Sequence, residues 1–264
     1  DQPVAVLELR EPAGQPMGDV KIGVDLEISD PVELEISGCF VRGDADLIVL
    51  EQAAPSDCAI SNSVIALRGR LLHVLGTKNQ LPDGARNRLQ MNHVTCLLGG
   101  SLIDVDTGDL PRQVNPIHVR SARNNIFAVD RESGQPLVKM EGNTNTEDFR
   151  DLLMWAEGER NFYDEIDEFW RIQSLPEAFF EPETLDFSAW KQHWQTDEVR
   201  AYNGSIEWAV DWRNEPLGQL TASDVALDGE ALANPAIAGA ADMSDAGANL
   251  ETPQFPRRLS TIEQ

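Results

Sequence analysis

Residues 87–105 have the sequence NRLQMNHVTCLLGGSLIDV, and this pattern decides the expected fold. The pattern begins with a strand in which polar and apolar residues alternate. It continues with a small or polar corner residue, a short strand, a glycine-containing turn and an apolar strand. The same order recurs over 32–50, 57–74 and 117–140. A repeat of about 20 to 50 residues is typical of solenoid proteins, in which each copy buries its apolar face against the next.

Two positions align the four copies. The spacing between them is nine residues in the first three copies (47−38, 71−62, 102−93). Neighbouring strands of a parallel sheet lie about 4.8 Å apart, so equivalent residues stack and the leucines are expected to form an interior row. The corner residues are Gly38, Asn62, His93 and Asn124, and the leucines are Leu47, Leu71, Leu102 and Leu137.

The sequence therefore predicts an all-β fold, a right-handed parallel β-helix solenoid with a helical and aromatic C-terminal cap. The hand follows from the right-handed preference of parallel crossover connections. The extra residues of the longer copies fall in two polar stretches, Thr77–Arg86 and Thr107–Pro116, which we expect to project as loops. A leucine-rich repeat is the nearest alternative, but its leucine and asparagine spacing does not fit these copies.

We expect three regions along the chain. Residues 1–145 hold the coils, and the alternating runs Val4–Leu9 and Val20–Ile28 suit an incomplete first coil. Residues 146–230 form a helical and aromatic-rich cap with further coils, beginning with a helix in Thr146–Trp155. Residues 231–264, which are rich in Ala, Asp, Gly and Pro near their start, are expected to form a poorly structured tail.

The charge of the chain limits its partners. The 45 acidic residues outnumber the 21 basic ones, and the formal net charge is −24. Such a charge repels nucleic acid and anionic membrane surfaces, and it disfavours anionic polymers as substrates. Cationic partners, neutral glycans and divalent metals remain compatible with it. No apolar run approaches the length of a membrane helix, so we expect no direct membrane insertion by this chain.

Acidic residues supply the metal candidate. The run DVDTGD places Asp104, Asp106 and Asp109 around a glycine turn, and carboxylate oxygens are the ligands that calcium prefers. The run lacks the full EF-hand pattern, and a solvated acidic surface is the alternative interpretation. The three cysteines, Cys39, Cys58 and Cys96, show no CxxC spacing, so we expect buried free thiols rather than a disulfide framework or a zinc site.

No set of residues in the sequence has the pattern of a catalytic centre. The four histidines are dispersed, and the serines lack a GxSxG elbow or a partnered base. Arg70 and Asp104 are a conceivable base and calcium ligand of a polysaccharide lyase, but charged outward residues are usually solvated. Five of the six tryptophans lie between Trp170 and Trp212, which is typical of a packed cap and also of a sugar-stacking platform. We therefore assign no catalytic and no cofactor-binding residues.

Three stretches carry a family resemblance. They are NHVTCLLGGSLIDV, then RNNIFAV with PLVKMEG, and above all 148–170, DFRDLLMWAEGERNFYDEIDEFW. Together they resemble the region that follows the membrane segment in large planctomycete serine/threonine protein kinases, a pectate-lyase-like β-helix. The resemblance implies an extracytoplasmic module of a membrane kinase. It carries no catalytic residues, because the chain lacks the glycine-rich loop and the HRD and DFG motifs of a kinase.

The function predicted from these observations is non-enzymatic. We expect a binding or spacer module that presents its strand surface and its projecting loops to a carbohydrate or protein ligand, and not to nucleic acid. The alternative is a carbohydrate-active enzyme, a polysaccharide lyase or glycoside hydrolase. An enzyme would require a groove with converging acids or a base, flanked by exposed aromatic side chains. We expect no cofactor other than calcium.

Overall fold

The structure, a computed structural model, describes residues 7–10, 31–51, 53–177, 181–230 and 233–251. The expected N-terminal run Val20–Ile28 lies outside the described residues. The strands of the first part are β1 (Leu7–Arg10), β2 (Val32–Ser37), β3 (Phe40–Gly43), β4 (Ile48–Glu51), β5 (Ser56–Leu67), β6 (Leu72–Leu75), β7 (Asn87–Leu98), β8 (Ile103–Asp106), β9 (Ile117–Arg123), β10 (Ile126–Val129) and β11 (Val138–Gly142).

The second part combines short strands with two helices. The helices are α1 (Thr146–Asp151) and α2 (Phe187–Trp194). The strands are β12 (Leu153–Ala156), β13 (Gly158–Glu159), β14 (Phe162–Asp164), β15 (Trp170–Ser174), β16 (Glu183–Leu185), β17 (Glu198–Val199) and β18 (Tyr202–Gly204). Single 3-10 turns occupy Arg131–Ser133, Gln195–Asp197, Trp212–Asn214, Leu217–Gln219 and Ala222–Val225.

The strands form two sheets. The seven-stranded sheet has the order β1-β4-β6-β8-β11-β15-β16, and its pairs are parallel except for the antiparallel pair β15–β16. The eleven-stranded sheet has the central order β17-β13-β9-β7-β10-β14-β18. It branches, because β2 and β3 both pair with β5, β5 pairs with β7, and β12 pairs with β9.

The predicted right-handed parallel β-helix solenoid is wrong as the fold of this chain, and with it the pectate-lyase-like class. The structure is mostly β with some helices, and its parallel seven-stranded sheet curls into half a barrel. The other sheet is branched and mixes strands of two to twelve residues. The repeat pattern specifies which residues stack and which face inward, but the closure of the sheets depends on loops and flanks that carry no repeat.

The register of the four copies is confirmed. In the seven-stranded sheet Ile48 pairs with Leu72, Leu72 with Ile103, and Ile103 with Val138. The predicted leucine row is buried throughout, with at most 1% of any side chain exposed, in Leu47, Leu71, Leu102 and Leu137. These leucines belong to one continuous apolar cluster between the two sheets.

The corner positions share one backbone conformation. Asn62, His93 and Asn124 have φ angles of 42°, 53° and 57°, a left-handed region that asparagine tolerates better than most residues. Gly38 has a φ of 61°. The same conformation continues beyond the four predicted copies at Arg160 and Arg200. We call these six residues the corner row.

The helical expectation near 146–155 is only partly correct. Asn145 caps α1 by accepting a hydrogen bond from the backbone N–H of Asp148, at 2.9 Å. The helix then ends at Asp151, because Leu153–Ala156 pairs in parallel with β9 and Trp155 is buried. Packing against the sheet therefore overrides the helical spacing of this segment.

The aromatic side chains form a packed cap. Trp155, Trp170, Trp190 and Trp212 each expose at most 1% of their surface. The indole of Trp190 lies edge-on to Trp155, with ring centroids 5.2 Å apart. This packing supports the cap interpretation of the tryptophan cluster over the sugar-stacking platform.

Two of the cysteines are buried free thiols, as predicted. Burial raises the pKa of Cys58 to about 11. Cys39 is exposed, because it directly follows the corner at Gly38, where its backbone N–H donates to Ser63. In the parts of the chain that the structure describes, no helix has the length and apolar character needed to cross a membrane.

Candidate functional site

A cavity of about 670 Å³ lies between the corner row and the C-terminal part of the chain. We call it the corner cavity. Strands β5, β7 and β10 form one wall with the residues Ser61, Asn62, Asn92, His93, Thr95 and Ile126. The other wall consists of Val225–Leu227 together with Asp242 and 244–251. A partly apolar cleft of this size with a few converging polar groups is typical of small-molecule sites.

Side chains of the strands hold the C-terminal wall in place. The backbone N–H groups of this wall donate to oxygen atoms of the corner row and of Thr95. The bonds are Ala241 N to Asn124 Oδ1 (2.9 Å), Gly247 N to Asn124 O (2.7 Å), Ala248 N to Thr95 Oγ1 (3.0 Å) and Asn249 N to Asn62 Oδ1 (2.7 Å). Residues 241–249, which fall in the predicted tail, therefore lie against the eleven-stranded sheet. The predicted division of the chain into coils, cap and tail otherwise stays a prediction.

His93 is the histidine of this site, and its hydrogen bonds fix its tautomer. Its Nδ1 lies 3.2 Å from the carbonyl oxygen of Gly247, which can only accept, so Nδ1 carries a proton. Its Nε2 lies 3.2 Å from Nδ2 of Asn124, a donor whose partner Oδ1 is engaged by the N–H of Ala241. Nε2 is therefore the acceptor of this hydrogen bond.

Gly247 makes the close approach of the wall possible. Its φ is 79°, in the left-handed region. A Cβ atom at this position would collide with the Thr95 hydroxyl and would press on Ile126 at 3.0 Å. Only glycine fits both the conformation and the space.

The lining of the cavity is acidic on one side and neutral on the other. The C-terminal wall carries the carboxyl groups of Asp242, Asp245 and Glu251. Asp242 Oδ2 lies 3.8 Å from His93 Nε2, and hydrogen bonds from Ser244 lower the pKa of Asp242. Among the described lining residues there is no lysine or arginine. The cavity can therefore offer acceptors and negative charge to a ligand, together with an apolar floor.

The sequence candidate Asp104 lies in a separate ionic cluster on the seven-stranded sheet. Arg70 bridges two carboxylates there, with Nη2 3.0 Å from Asp46 Oδ2 and Nη1 3.1 Å from Asp104 Oδ2. His73 Nδ1 lies 3.5 Å from Asp46 Oδ2. Asp104 pairs in register with His73 and Lys139. The conceivable pair of Arg70 and Asp104 is thus brought together, as an ion pair.

Burial and charge act in opposite directions on these two carboxyl groups. Burial would raise the pKa of Asp46, but hydrogen bonds from His73 and Arg70 and the guanidinium charge lower it to about 2. Burial raises the pKa of Asp104, and the charges of Lys139, Arg70 and His73 offset only part of that effect. Asp104 exposes 5% of its surface, and its Oδ1 has no hydrogen-bond partner among the residues that the structure describes.

The other two calcium candidates face different partners. Asp106 Oδ1 accepts a hydrogen bond from the N–H of Gly108 at 2.6 Å, and the carbonyl of Asp109 accepts one from Asn143 at 2.8 Å. Within the described ranges, no three His, Cys, Asp or Glu side chains are grouped so that they could hold a metal ion. Calcium binding at Asp104, Asp106 and Asp109 stays a prediction.

The two predicted projecting loops pair with each other. Thr77 and Gln113 form an antiparallel bridge with two backbone hydrogen bonds of 2.9 Å. Leu110, in the second loop, exposes 61% of its surface. The expected contact surface is therefore one joined pair of loops rather than two separate ones.

A buried polar chain next to the corner row was missed from the sequence. The backbone N–H of Val94 donates to Asn125, Asn125 Nδ2 donates to Asn161 Oδ1 at 3.0 Å, and Asn161 Nδ2 donates to Glu198 Oε1 at 3.1 Å. Burial raises the pKa of Glu198 to about 7. Asn125 and Asn161 each follow a corner residue, so extending the copy alignment to 158–164 would have placed them in one column.

Comparisons with known proteins give no information on function, so the functional argument rests on the site. No family model matches this chain, and neither the curated proteins nor the solved structures contain a significant match. The resemblance to the region that follows the membrane segment in planctomycete kinases, and the extracytoplasmic location that it implies, stay predictions.

Proposed function

We propose that this chain is a non-enzymatic binding module and that the corner cavity holds its ligand. The observation that carries the proposal is the cavity of about 670 Å³, whose second wall is fastened by side chains of the corner row. Asn62 and Asn124 serve both the backbone bends and the attachment of this wall. Residues that combine these tasks favour a built site over an accidental gap between loops.

The arrangement of His93 supports binding rather than catalysis. Both of its ring nitrogens are engaged, by Gly247 and by Asn124, so the imidazole positions the wall. The hydroxyl of Ser244, on the C-terminal wall, donates to the carboxylate of Asp242 at 2.6 Å and not to His93. A serine that donates to an imidazole base is the arrangement of serine acyl-transfer enzymes, and Ser244 and His93 do not form it.

The carbohydrate-active alternative rests on Asp104. A nearly buried carboxyl group with a raised pKa beside His73 and Lys139 has the environment of a general acid. Its Arg70 partner and its position on an open sheet favour a structural role instead. This second candidate makes a different prediction, since only an enzyme cleaves its ligand.

One experiment separates the two candidates. The purified chain is titrated with neutral glycans, acidic glycans and small amines, with and without calcium, and each mixture is also assayed for new reducing ends. Binding without cleavage is the expected result. Cleavage of any glycan would contradict the proposal, and loss of that cleavage in Asp104→Asn would assign the reaction to the ionic cluster.

A further inference from the structure

We infer that the outer face of the eleven-stranded sheet carries a second binding site, which takes a small ligand with one sulfate or phosphate group. The site consists of Arg86, Arg88, His118 and Arg120, and we call it the arginine site. None of these residues lines the corner cavity, so the inference goes beyond the proposed function and does not depend on it.

The pairing of β7 with β9 brings these side chains together. Arg88 of β7 pairs in register with His118 of β9, and neighbouring strands lie about 4.8 Å apart. Arg120 lies two residues after His118 and therefore points to the same face of the sheet. Val119, between them, is fully buried in the core, so this face is the outer one. Arg86 directly precedes β7 and reaches the same place.

His118 is a buried imidazole without a hydrogen bond. It exposes 9% of its surface, and no hydrogen bond joins its ring to another residue in the described part of the chain. Burial lowers the pKa of His118, and the charges of Arg86, Arg88 and Arg120 lower it further. A buried polar group without a partner costs free energy, and a bound anion would supply the missing acceptor.

Carboxyl groups compensate only part of the positive charge around His118. Asp57 Oδ2 lies 3.5 Å from Arg88 Nη1, and Glu157 Oε1 lies 3.0 Å from Arg120 Nη2. Glu157 is also shared, because its Oε2 lies 3.7 Å from Nη2 of a further arginine, Arg123. The charges that shift the pKa of His118 are all positive. The arginine site is therefore locally basic in an acidic chain.

These features determine the chemistry of the ligand. Arg86 is exposed and forms no ion pair with another described residue, so its N–H donors can reach a ligand. Guanidinium groups bind oxyanions through paired N–H donors, and several such groups match the oxygens of a sulfate or phosphate better than the two of a carboxylate. Met154 pairs in register with His118 and exposes 46% of its surface, which offers an apolar contact to the rest of the ligand.

The net charge of the chain limits the size of this ligand. At −24 the chain repels a long anionic polymer, because most of its surface carries the same sign of charge. A single sulfate or phosphate group experiences mainly the nearby arginines, since salt screens the more distant charges. The arginine site therefore fits a small ligand better than a polymer.

Anion binding has a consequence for the protonation of His118. A negative charge beside the imidazole favours its charged form, so the ligand raises the pKa that burial and the arginines lower. The bound protein then takes up a proton that the free protein lacks. The affinity for sulfate should accordingly increase as the pH falls from about 8 to about 5.5, although sulfate itself keeps its charge.

The experiment is an NMR titration of the full chain with inorganic sulfate at low ionic strength, because salt weakens a surface site. It follows the arginine side chains and the His118 ring between about pH 5.5 and pH 8. The test variant is Arg86→Gln. The matched control is Arg68→Gln, which removes the same charge from an exposed arginine in the turn after β5. His118→Gln tests the proton uptake, and circular dichroism melting verifies that each variant folds.

We expect sulfate to saturate one site and to raise the pKa of His118. Arg86→Gln should bind sulfate about tenfold more weakly, because it loses a charge-assisted hydrogen-bond donor. Arg68→Gln should bind within about twofold of the wild type. His118→Gln should lose the increase in affinity at low pH. If this variant does not fold, the titration of the His118 ring in the wild type, with and without sulfate, tests the same point.

Two results would overturn the inference directly. They are equal weakening in Arg86→Gln and Arg68→Gln, and a pKa of His118 that sulfate leaves unchanged. Sulfated N-acetylglucosamine and O-phosphoserine separate the two sources of the oxyanion, and tighter binding of either than of inorganic sulfate supports the site. Binding of inorganic sulfate alone would mean an adventitious ion only and would contradict the inference. No variant changes the corner cavity, so such a failure leaves the proposed function standing.

Discussion

The Nδ1 atom of His93 lies 3.2 Å from the carbonyl oxygen of Gly247, across 154 residues of sequence. This contact joins a corner of the eleven-stranded sheet to the C-terminal wall of the cavity. His93 has a left-handed φ of 53° at this corner, and its imidazole contacts the wall. His93 therefore forms a corner of the sheet and also contacts the backbone of the C-terminal wall.

The first prediction concerns Gly247. We expect Gly247→Ala to lower the free energy of unfolding by about 2 kcal/mol, because alanine resists a φ of 79° and its Cβ would collide with Thr95. Chemical denaturation and limited proteolysis of 241–251 measure the effect. Gly229→Ala is the control, since its Cβ would meet open space and its φ is not positive. Equal stability of the two variants would show that the wall is not docked as described.

The second prediction tests the register of β7. Leu89 exposes 1% of its surface and Gln90, the next residue, is exposed. Leu89→Asp should unfold the protein or cost more than about 4 kcal/mol, because it buries an unpaired charge. Gln90→Asp should change the stability by less than about 0.5 kcal/mol. Similar losses in both variants would mean that the register is displaced by one residue.

The third prediction concerns the ionic cluster. Arg70→Met leaves the carboxylates of Asp46 and Asp104 without their shared guanidinium and should cost about 2 kcal/mol. The sequence alone predicted instead that Arg70 is a solvated outward residue whose replacement changes the stability little. Arg68→Met, which removes an ion pair to Asp44 that is more than two-thirds exposed, should cost less than about 0.5 kcal/mol. A denaturant titration in which both variants match the wild type would rule out a stabilising cluster.

The fourth prediction is a pH dependence caused by Glu198. Burial raises its pKa from the ordinary value of 4.5 to about 7, so the folded state holds a proton that the unfolded state has lost between these values. The contribution of Glu198 to the free energy of unfolding is therefore fully present below about pH 4.5, and it is lost as the pH rises to about 7. The loss amounts to about 3 kcal/mol over that interval.

The variant Glu198→Gln isolates this effect. Its stability should fall less than that of the wild type between about pH 5 and pH 8, while exposed Glu132→Gln should follow the wild type. Stability curves of Glu198→Gln and wild type that run parallel over this range would contradict the assignment.

The repeat pattern predicted the local structure better than the global one. Leu71 and Leu102 were placed correctly, because side-chain alternation and stacking act between neighbouring strands. The same pattern carries no information on how the seven-stranded sheet curls or on the reversed direction of β16, which pairs antiparallel with β15 and lies outside the copies. The solenoid prediction failed at this level.

The candidate site was missed for a compositional reason. Residues 241–250, ADMSDAGANL, have the small and polar composition of a disordered tail. In the structure their small size allows the close approach to Thr95 and Ile126, and their backbone N–H groups donate to Thr95 and to the corner residues Asn62 and Asn124. Those acceptors are distant in sequence, so local composition could not reveal them.

Hydrogen exchange of the C-terminal wall tests the central claim most directly. The backbone N–H groups of Ala241, Gly247, Ala248 and Asn249 each donate to the corner row or to Thr95, and that of Ala246 donates to the carbonyl of Ala236. Mass spectrometry or NMR of the native protein should therefore find these amides protected, and Gly247→Ala should remove the protection. Exchange of 241–250 at the rate of an unstructured peptide in the wild type would contradict the account, because the corner cavity would then lack its second wall.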